Sequence, residues 1–168
     1  METRSTFKGI VRAGASADAG PLGAMAAELV RFHHAIDPQR FFLPSGVEAG
    51  YRRWLTTELA NADALVLVAE LEGVVVGYLY ARFEARDFNM LLSDHAALHD
   101  VYVADAARRT HAGEALVGRF VELARERGAP RIVLHTATSN TRAQTLFRKL
   151  GFRDTMLEMT LETGARAT

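Results

Sequence analysis

Two adjacent residues on an apolar run carry the clearest potential for proton chemistry in this chain. They are His99 and Asp100, within Leu98-His99-Asp100-Val101-Tyr102-Val103. An imidazole titrates near neutrality and can act as a general base. A neighbouring carboxylate can orient the ring or bind a cation, and the phenol of Tyr102 can return a proton to a leaving group. Strand alternation sends His99 to one face and Asp100 with Tyr102 to the other. His99 and Asp100 therefore serve one reacting centre only if a bulge intervenes. Otherwise they are an ordinary strand histidine and a structural acceptor. Further on, Arg108-Arg109-Thr110-His111-Ala112-Gly113 is an arginine-rich turn opening a helix. Backbone N–H groups at such a start converge on phosphate; the alternative is a solvated turn. His95 and His99 have the spacing of a helical metal motif, but on a strand they lie about 13 Å apart, so no metal site is expected.

The elements that must hold these residues follow from periodicity. Phe7 to Val11 predicts a first strand, and Gly14 to Gly20 a loop. Pro21 stands where helices begin, and Leu22, Met25, Ala26, Leu29 and Val30 carry a helix to about Phe32. His33 and His34 suit the negative end of that helix, or a substrate. Ser45-Gly46-Val47-Glu48 has capping-box spacing. Val47, Tyr51, Trp54, Leu55 and Leu59 form a second stripe, closed at Asn61. Leu65 to Leu71 and Val74 to Phe83 flank Glu72-Gly73 as a hairpin. Gly77 interrupts the second run, which marks a bulge or a close backbone approach.

Glu84 to Asp94 is charged and irregular, a long loop or an extension of the hairpin strand, and Ala97 to Val103 is the next strand. Leu116, Val117, Phe120, Val121, Leu123 and Ala124 make a helix that ends at Gly128 and Pro130. Arg131 to Thr136 is a strand. Asn140 caps a helix with Ala143, Leu146, Phe147 and Leu150 on one face, stopped by Gly151. Thr155 to Leu161 alternates enough for a final strand, and Thr163 to Thr168 is a frayed tail. The order β-α-α-β-β-β-α-β-α-β predicts a mixed sheet with helices on its faces, α+β or α/β by convention. The β-α-β unit is parallel and right-handed. One domain over 1–168 is expected, with a core of about 7–162.

Composition excludes several classes. The chain has 168 residues, 20 Lys+Arg against 20 Asp+Glu, and no cysteine. Zero formal charge argues against bulk nucleic-acid binding. Thiolate catalysis, disulfides and Cys-based zinc sites are absent by composition. The N-terminus lacks an apolar signal region and no run reaches transmembrane length, so no membrane partner and a cytoplasmic location are the expectations.

The layout and the Leu98–Phe152 stretch resemble the GNAT superfamily of acetyl-CoA-dependent N-acetyltransferases. Leu98 to Val103 looks like that family's central strand. Arg108 to Gly113 falls at its Arg/Gln-x-x-Gly-x-Gly/Ala turn. Asn140-x-x-Ala143-x-x-Leu146-Phe147-x-x-Leu150-Gly151-Phe152 is similar to its Asn-x-x-Ala…Tyr…Leu-Gly-Phe signature. The resemblance implies acetyl-CoA as co-substrate and a primary amine of a small molecule, amino acid or protein as acceptor. It implies two parallel strands splayed around the cofactor, and a homodimer at the family level. The turn (Arg108, Arg109, Thr110, His111, Ala112, Gly113) would hold the pyrophosphate. Val101 and Val103 would offer backbone groups to the pantetheine arm, which Asn140, Ala143 and Phe147 would also touch. A strand amide such as that of Val103 would polarise the thioester carbonyl. His99, Asp100 and Tyr102 would be the catalytic set. Two departures stand out. His111 replaces the first turn glycine, and Phe147 replaces a tyrosine acid. They keep a second reading open, a non-catalytic acyl-CoA-binding module. The acceptor site would draw on residues 32–51 and 84–95.

Overall fold

The structure, a computed structural model, describes residues 6–164. Its elements are β1 (Ile10–Ala13), α1 (Ala19–Ile36), α2 (Val47–Glu58), β2 (Ala64–Leu71), β3 (Val74–Glu84), β4 (His95–Val103), α3 (Ala112–Glu126), β5 (Ile132–Leu134) and α4 (Thr141–Lys149). One five-stranded sheet runs β1-β2-β3-β4-β5. Its strands pair antiparallel except for the parallel β4–β5 pair. This is the expected mixed α+β sheet with helices on both faces.

Alternation along the strands divides the core in two. On one face Leu67, Leu79, Ala81 and Leu98 meet the α3 stripe of Leu116, Val117 and Phe120, with Phe147 from α4. Each fully buried side chain of this size contributes about 1.5–3 kcal/mol. On the other face Val66, Val68, Tyr78 and Tyr80 meet Leu22 and Ala26 of α1 and Leu55 of α2. The site is built at the open end of this second face.

Several boundaries differ from expectation. α1 starts at Ala19, ahead of Pro21, and runs to Ile36; proline is tolerated in a first turn because its missing N–H has no partner there. The Ser45 capping box does not form. Gly46 is the N-cap, in the left-handed region at φ 64 with no side-chain cap bond, and it turns the chain into the helix in place of a serine oxygen. β1 lies at Ile10–Ala13, later than Phe7 to Val11, and β5 is confined to Ile132–Leu134. The final strand expected over Thr155 to Leu161 is absent: no backbone hydrogen bond ties that segment to any described residue. Alternation supplies a face but not a partner, and a lone strand leaves every N–H and C=O to water. From residue 165 the expected tail lies outside the described residues, as do residues 1–5. No helix among the described residues is long and apolar enough to cross a membrane.

Gly77 meets both expectations at once. A register shift lies opposite it, at Ala69/Glu70, and a Cβ there would stand 2.7 Å from the Tyr102 carbonyl oxygen. The obstacle is backbone, which cannot swing aside. Gly77→Ala is therefore expected to lose about 1–3 kcal/mol. For a chain of this size that is a drop in Tm of about 2–4 °C per kcal/mol, read by a thermal melt; an unchanged Tm would mean that β4 can shift to make room.

Candidate active site

The bulge needed to bring His99 and Asp100 together is present in β4. Tyr80 pairs with Asp100 and Ala81 with Leu98, so His99 is the extra residue. A single inserted residue turns two consecutive side chains to one side. His99 and Asp100 both line a cleft of about 650 Å³ on the α1/α2 face, with Tyr51, Trp54, Tyr80 and Glu84. The aromatic wall is continuous. Trp54 lies edge-on to Tyr51 at 5.6 Å and to Tyr80 at 4.7 Å, and Tyr80 stacks on His99 at 5.5 Å.

Glu84 is the last residue of β3, so the hairpin strand extends into the first residue of the charged stretch. Glu84 Oε1 lies 3.0 Å from His99 Nε2 and its Oε2 3.4 Å from His95 Nε2. A carboxylate only accepts, so a neutral His99 presents N–H at Nε2 and a free lone pair at Nδ1. His95 is buried, with Nδ1 3.0 Å from the Ser93 carbonyl. Its Nδ1 therefore carries hydrogen, and Nε2 can donate to Glu84 only when the ring is protonated. The available sequence signal was the alternation that puts Tyr78, Tyr80, Arg82 and Glu84 on one side of β3.

Asp100 accepts a 3.0 Å hydrogen bond from the buried Tyr78 hydroxyl. Burial pushes its carboxyl up from the usual aspartate range, against the opposing pull of Tyr78, His99 and His33. Deeper in, the Tyr80 hydroxyl donates to Glu58 Oε2 at 2.5 Å, and Arg82 lies 3.4 Å from the same oxygen. Tyr102 shares the face of Asp100 but is not among the residues lining the cleft. Its phenol is pushed up by burial first and Asp105 next, with Arg108 opposing. His33 and His34 end α1 in backbone contacts, Nδ1 to the Leu29 carbonyl at 3.0 Å and to the Phe41 carbonyl at 2.7 Å respectively.

The arginine-rich turn winds through two left-handed residues, Arg109 at φ 71 and His111 at φ 68. Each such residue costs on the order of 1 kcal/mol where glycine would not. His111 is the N-cap of α3. The N–H groups of Ala112, Gly113 and Glu114 have no backbone partner among the described residues, as in any first helical turn. Thr110 N–H is engaged with Ala107 at 3.3 Å. Arg108 pairs with Asp105, whereas Arg109 has no ion-pair partner among the described residues. Glu114 would repel a phosphate here, but Lys149 Nζ stands 2.7 Å from it. Lys149 first, and then His111, hold its carboxyl below the usual range.

Between turn and cleft the sheet opens. β4 pairs with β5 only from Ala96 to Leu98. Val101 and Val103 turn their side chains to the α3 core and have no strand neighbour on the β5 side among the described residues. Past the end of β5, the Thr136 hydroxyl oxygen is buried with no hydrogen-bond partner among the described residues. Asn140 Oδ1 accepts from Ala143 N at 3.2 Å and caps α4. Phe147 is buried in the α3-side core beside Phe152, ring centroids 5.6 Å apart, with Ala143 packed at its edge.

An open mixed sheet thus splits beside a helix-start turn, with His99 and Asp100 on a bulge near the split. The acetyltransferase (GNAT) family model matches residues 29–152, and the chain belongs to that family. An uncharacterized N-acetyltransferase, YhfO of Bacillus subtilis, is 25% identical over 118 residues, covering 69% of this chain and 76% of that one. An aminoglycoside antibiotic 6'-N-acetyltransferase, AAC(6')-IG of Acinetobacter haemolyticus, superposes with TM-score 0.70 at 20% identity, covering 94% and 99% of the two chains. A predicted acetyltransferase of Clostridium acetobutylicum, solved with acetyl-CoA, superposes with TM-score 0.67 at 18% identity, covering 92% and 96%. At these identities the two structures speak for the fold. The residues at the split fit an acyl-CoA: an orphaned hydroxyl at Thr136, an unpaired β4 edge and free helix-start amides are the groups an amide-bearing arm and a pyrophosphate would satisfy.

Proposed function

We propose that this protein is an N-acetyltransferase that moves the acetyl group of acetyl-CoA to a primary amine of a small molecule, an amino acid or a protein. The observation that supports this reading is the β4 bulge, which turns His99 and Asp100 to one wall of a cleft where β4 and β5 part.

Arg109 and the first amides of α3, with His111 beside them, hold the pyrophosphate. The β4 edge at Val101 and Val103, Thr136 and Asn140 hold the arm. When bound, acetyl-CoA supplies an activated acyl group. Asp100 and the aromatic wall of Tyr51, Trp54 and Tyr80 receive the amine as an ammonium. His99, oriented by Glu84, takes its proton through Nδ1. The amine nitrogen bonds to the acyl carbon as the carbon–sulfur bond breaks. The proton on the new amide nitrogen leaves to water, and Tyr102, further along β4, gives its phenol proton to the departing sulfur and regains one from water. Phe147 packs and donates nothing.

Phe147 is also the observation that favours the second reading, a module that binds acyl-CoA without turnover. A CoA titration followed by thermal shift, and thiol release from acetyl-CoA across an amine panel, separate the two. CoA is expected to raise Tm by mass action, and at least one amine class to release thiol. With no cysteine in the chain, the thiol assay has no protein background. Binding without release supports the module; no stabilisation at millimolar CoA sinks both readings.

A further inference from the structure

The start of α3 carries a carboxylate where the proposed function needs an anion to bind. Glu114 is the acidic residue of the first turn, at the third helical position after the His111 N-cap. From that position a glutamate ordinarily turns back to accept the N-cap N–H, as in a capping box. The positive end of the helix draws it the same way. The His111 N–H has no backbone partner among the described residues, so the place is open. A Glu114 carboxylate that filled it would stand beside the free amides of Ala112 and Gly113 and compete with a phosphate for them.

In the structure Glu114 is held elsewhere. Its Oε2 accepts from Lys149 Nζ at 2.7 Å, with His111 Nδ1 3.4 Å from the same oxygen. Lys149 is the last residue of α4, and its reach is set by how closely the two helices approach. A Cβ added to Gly113 would lie 3.5 Å from Leu146 Cδ2, so the α3 start rests against α4 at that point. Lys149 follows Leu146 by three residues and shares its face of α4. Packing thus delivers an ammonium to the carboxylate of the α3 first turn. The Lys149 side chain is half exposed and that of Glu114 about a quarter, so the pair lies at the surface beside the turn and outside the core.

We propose that Lys149 is a positioning residue for the cofactor: by holding Glu114 toward α4 it keeps the helix-start amides open to the pyrophosphate of an acyl-CoA. The inference rests on the acyl-CoA reading of the turn given above. Lys149 acts through Glu114 and needs no contact with the cofactor itself. Without the ammonium, Glu114 turns back to the N-cap amide and sets its charge against the pyrophosphate.

Calorimetric titration with CoA at neutral pH and low salt tests this. Lys149→Met is expected to weaken binding on the order of 10-fold, and Lys149→Arg to stay near the native affinity. Lys149→Met/Glu114→Ala should recover it, because no carboxylate is left to compete. That recovery also excludes a collapse of the α3–α4 contact as the cause of the loss. The loss in Lys149→Met should shrink as salt screens the charge. 3′-Dephospho-CoA, which keeps the pyrophosphate, should show the same loss as CoA. Three results would each overturn the proposal and leave the acyl-CoA reading standing: native affinity in Lys149→Met, a loss that persists in the double variant, or a loss confined to CoA, which would put Lys149 on the 3′-phosphate. A native chain that binds neither ligand overturns both.

Discussion

His99→Ala is expected to lower kcat by about 10²–10⁴-fold, the usual contribution of a positioned acid–base group, while CoA binds as before. The separation follows from place. His99 lies on the cleft wall at the bulge, and its only hydrogen-bond partner among the described residues is Glu84. The turn that would hold the pyrophosphate lies beyond the end of β4, and none of its residues contacts His99. The fold should survive, because the ring is part-exposed and its main packing partner is Tyr80 at 5.5 Å. Losing an aromatic stack costs about 0.5–1.5 kcal/mol. Steady-state kinetics with acetyl-CoA varied at saturating amine, beside a CoA thermal-shift titration, give the two readouts. Equal losses in turnover and CoA affinity, or no loss in either, would return His99 to an ordinary strand histidine.

The pairing of His99 with Asp100 illustrates what the sequence could and could not disclose. Residue types identified the pair, and alternation set the two on opposite faces. The reversal depends on one extra residue in β4 relative to β3, a relation between strands that neither run carries alone. Glu84 was hidden for the same reason. It reads as the first residue of a charged stretch, loop or strand extension, and only the β3–β4 register puts it opposite His95 and within reach of two imidazoles. By contrast, the α3 stripe of Leu116, Val117 and Phe120 was fully legible, because a helix's buried face is written in its own spacing. The same holds for Asn140, whose cap needs only Ala143 three residues on. Thr155 to Leu161 marks the opposite limit. Its alternation was real, but a strand is defined by its neighbour, and none of the described residues supplies one. His111 tolerates the left-handed turn where the family pattern has glycine, so the turn's shape survives that substitution at a local energetic cost.

Asp100→Asn should separate function from stability in opposite directions. Burial raises the Asp100 carboxyl above its ordinary range, so the folded protein holds that proton more readily than the unfolded chain does. In the pH interval from the ordinary aspartate value up to the raised native one, the native state binds more protons. Stability attributable to this group therefore falls as pH rises through that interval. At neutral pH an ionised Asp100 is a net cost to the fold, and below the interval the cost vanishes. Asparagine removes the charge and keeps an oxygen for the Tyr78 hydroxyl, 3.0 Å away in the native protein. The variant is expected to melt at or above the native Tm at neutral pH and to converge with it in acid. Function should move the other way. A hydrogen bond to a charged group is worth about 1.5–3 kcal/mol, which converts to roughly 10–100-fold in KM for a cationic amine. KM for acetyl-CoA should not move, since none of the groups at the split or the turn is bonded to Asp100. Melts across the acid-to-neutral range and KM for the amine decide the matter together. A variant that is less stable at neutral pH and binds amine unchanged would make Asp100 a structural acceptor for Tyr78. A stabilised variant with impaired amine binding would mean that the part-buried carboxylate is retained, against the interest of the fold, for the ammonium it receives.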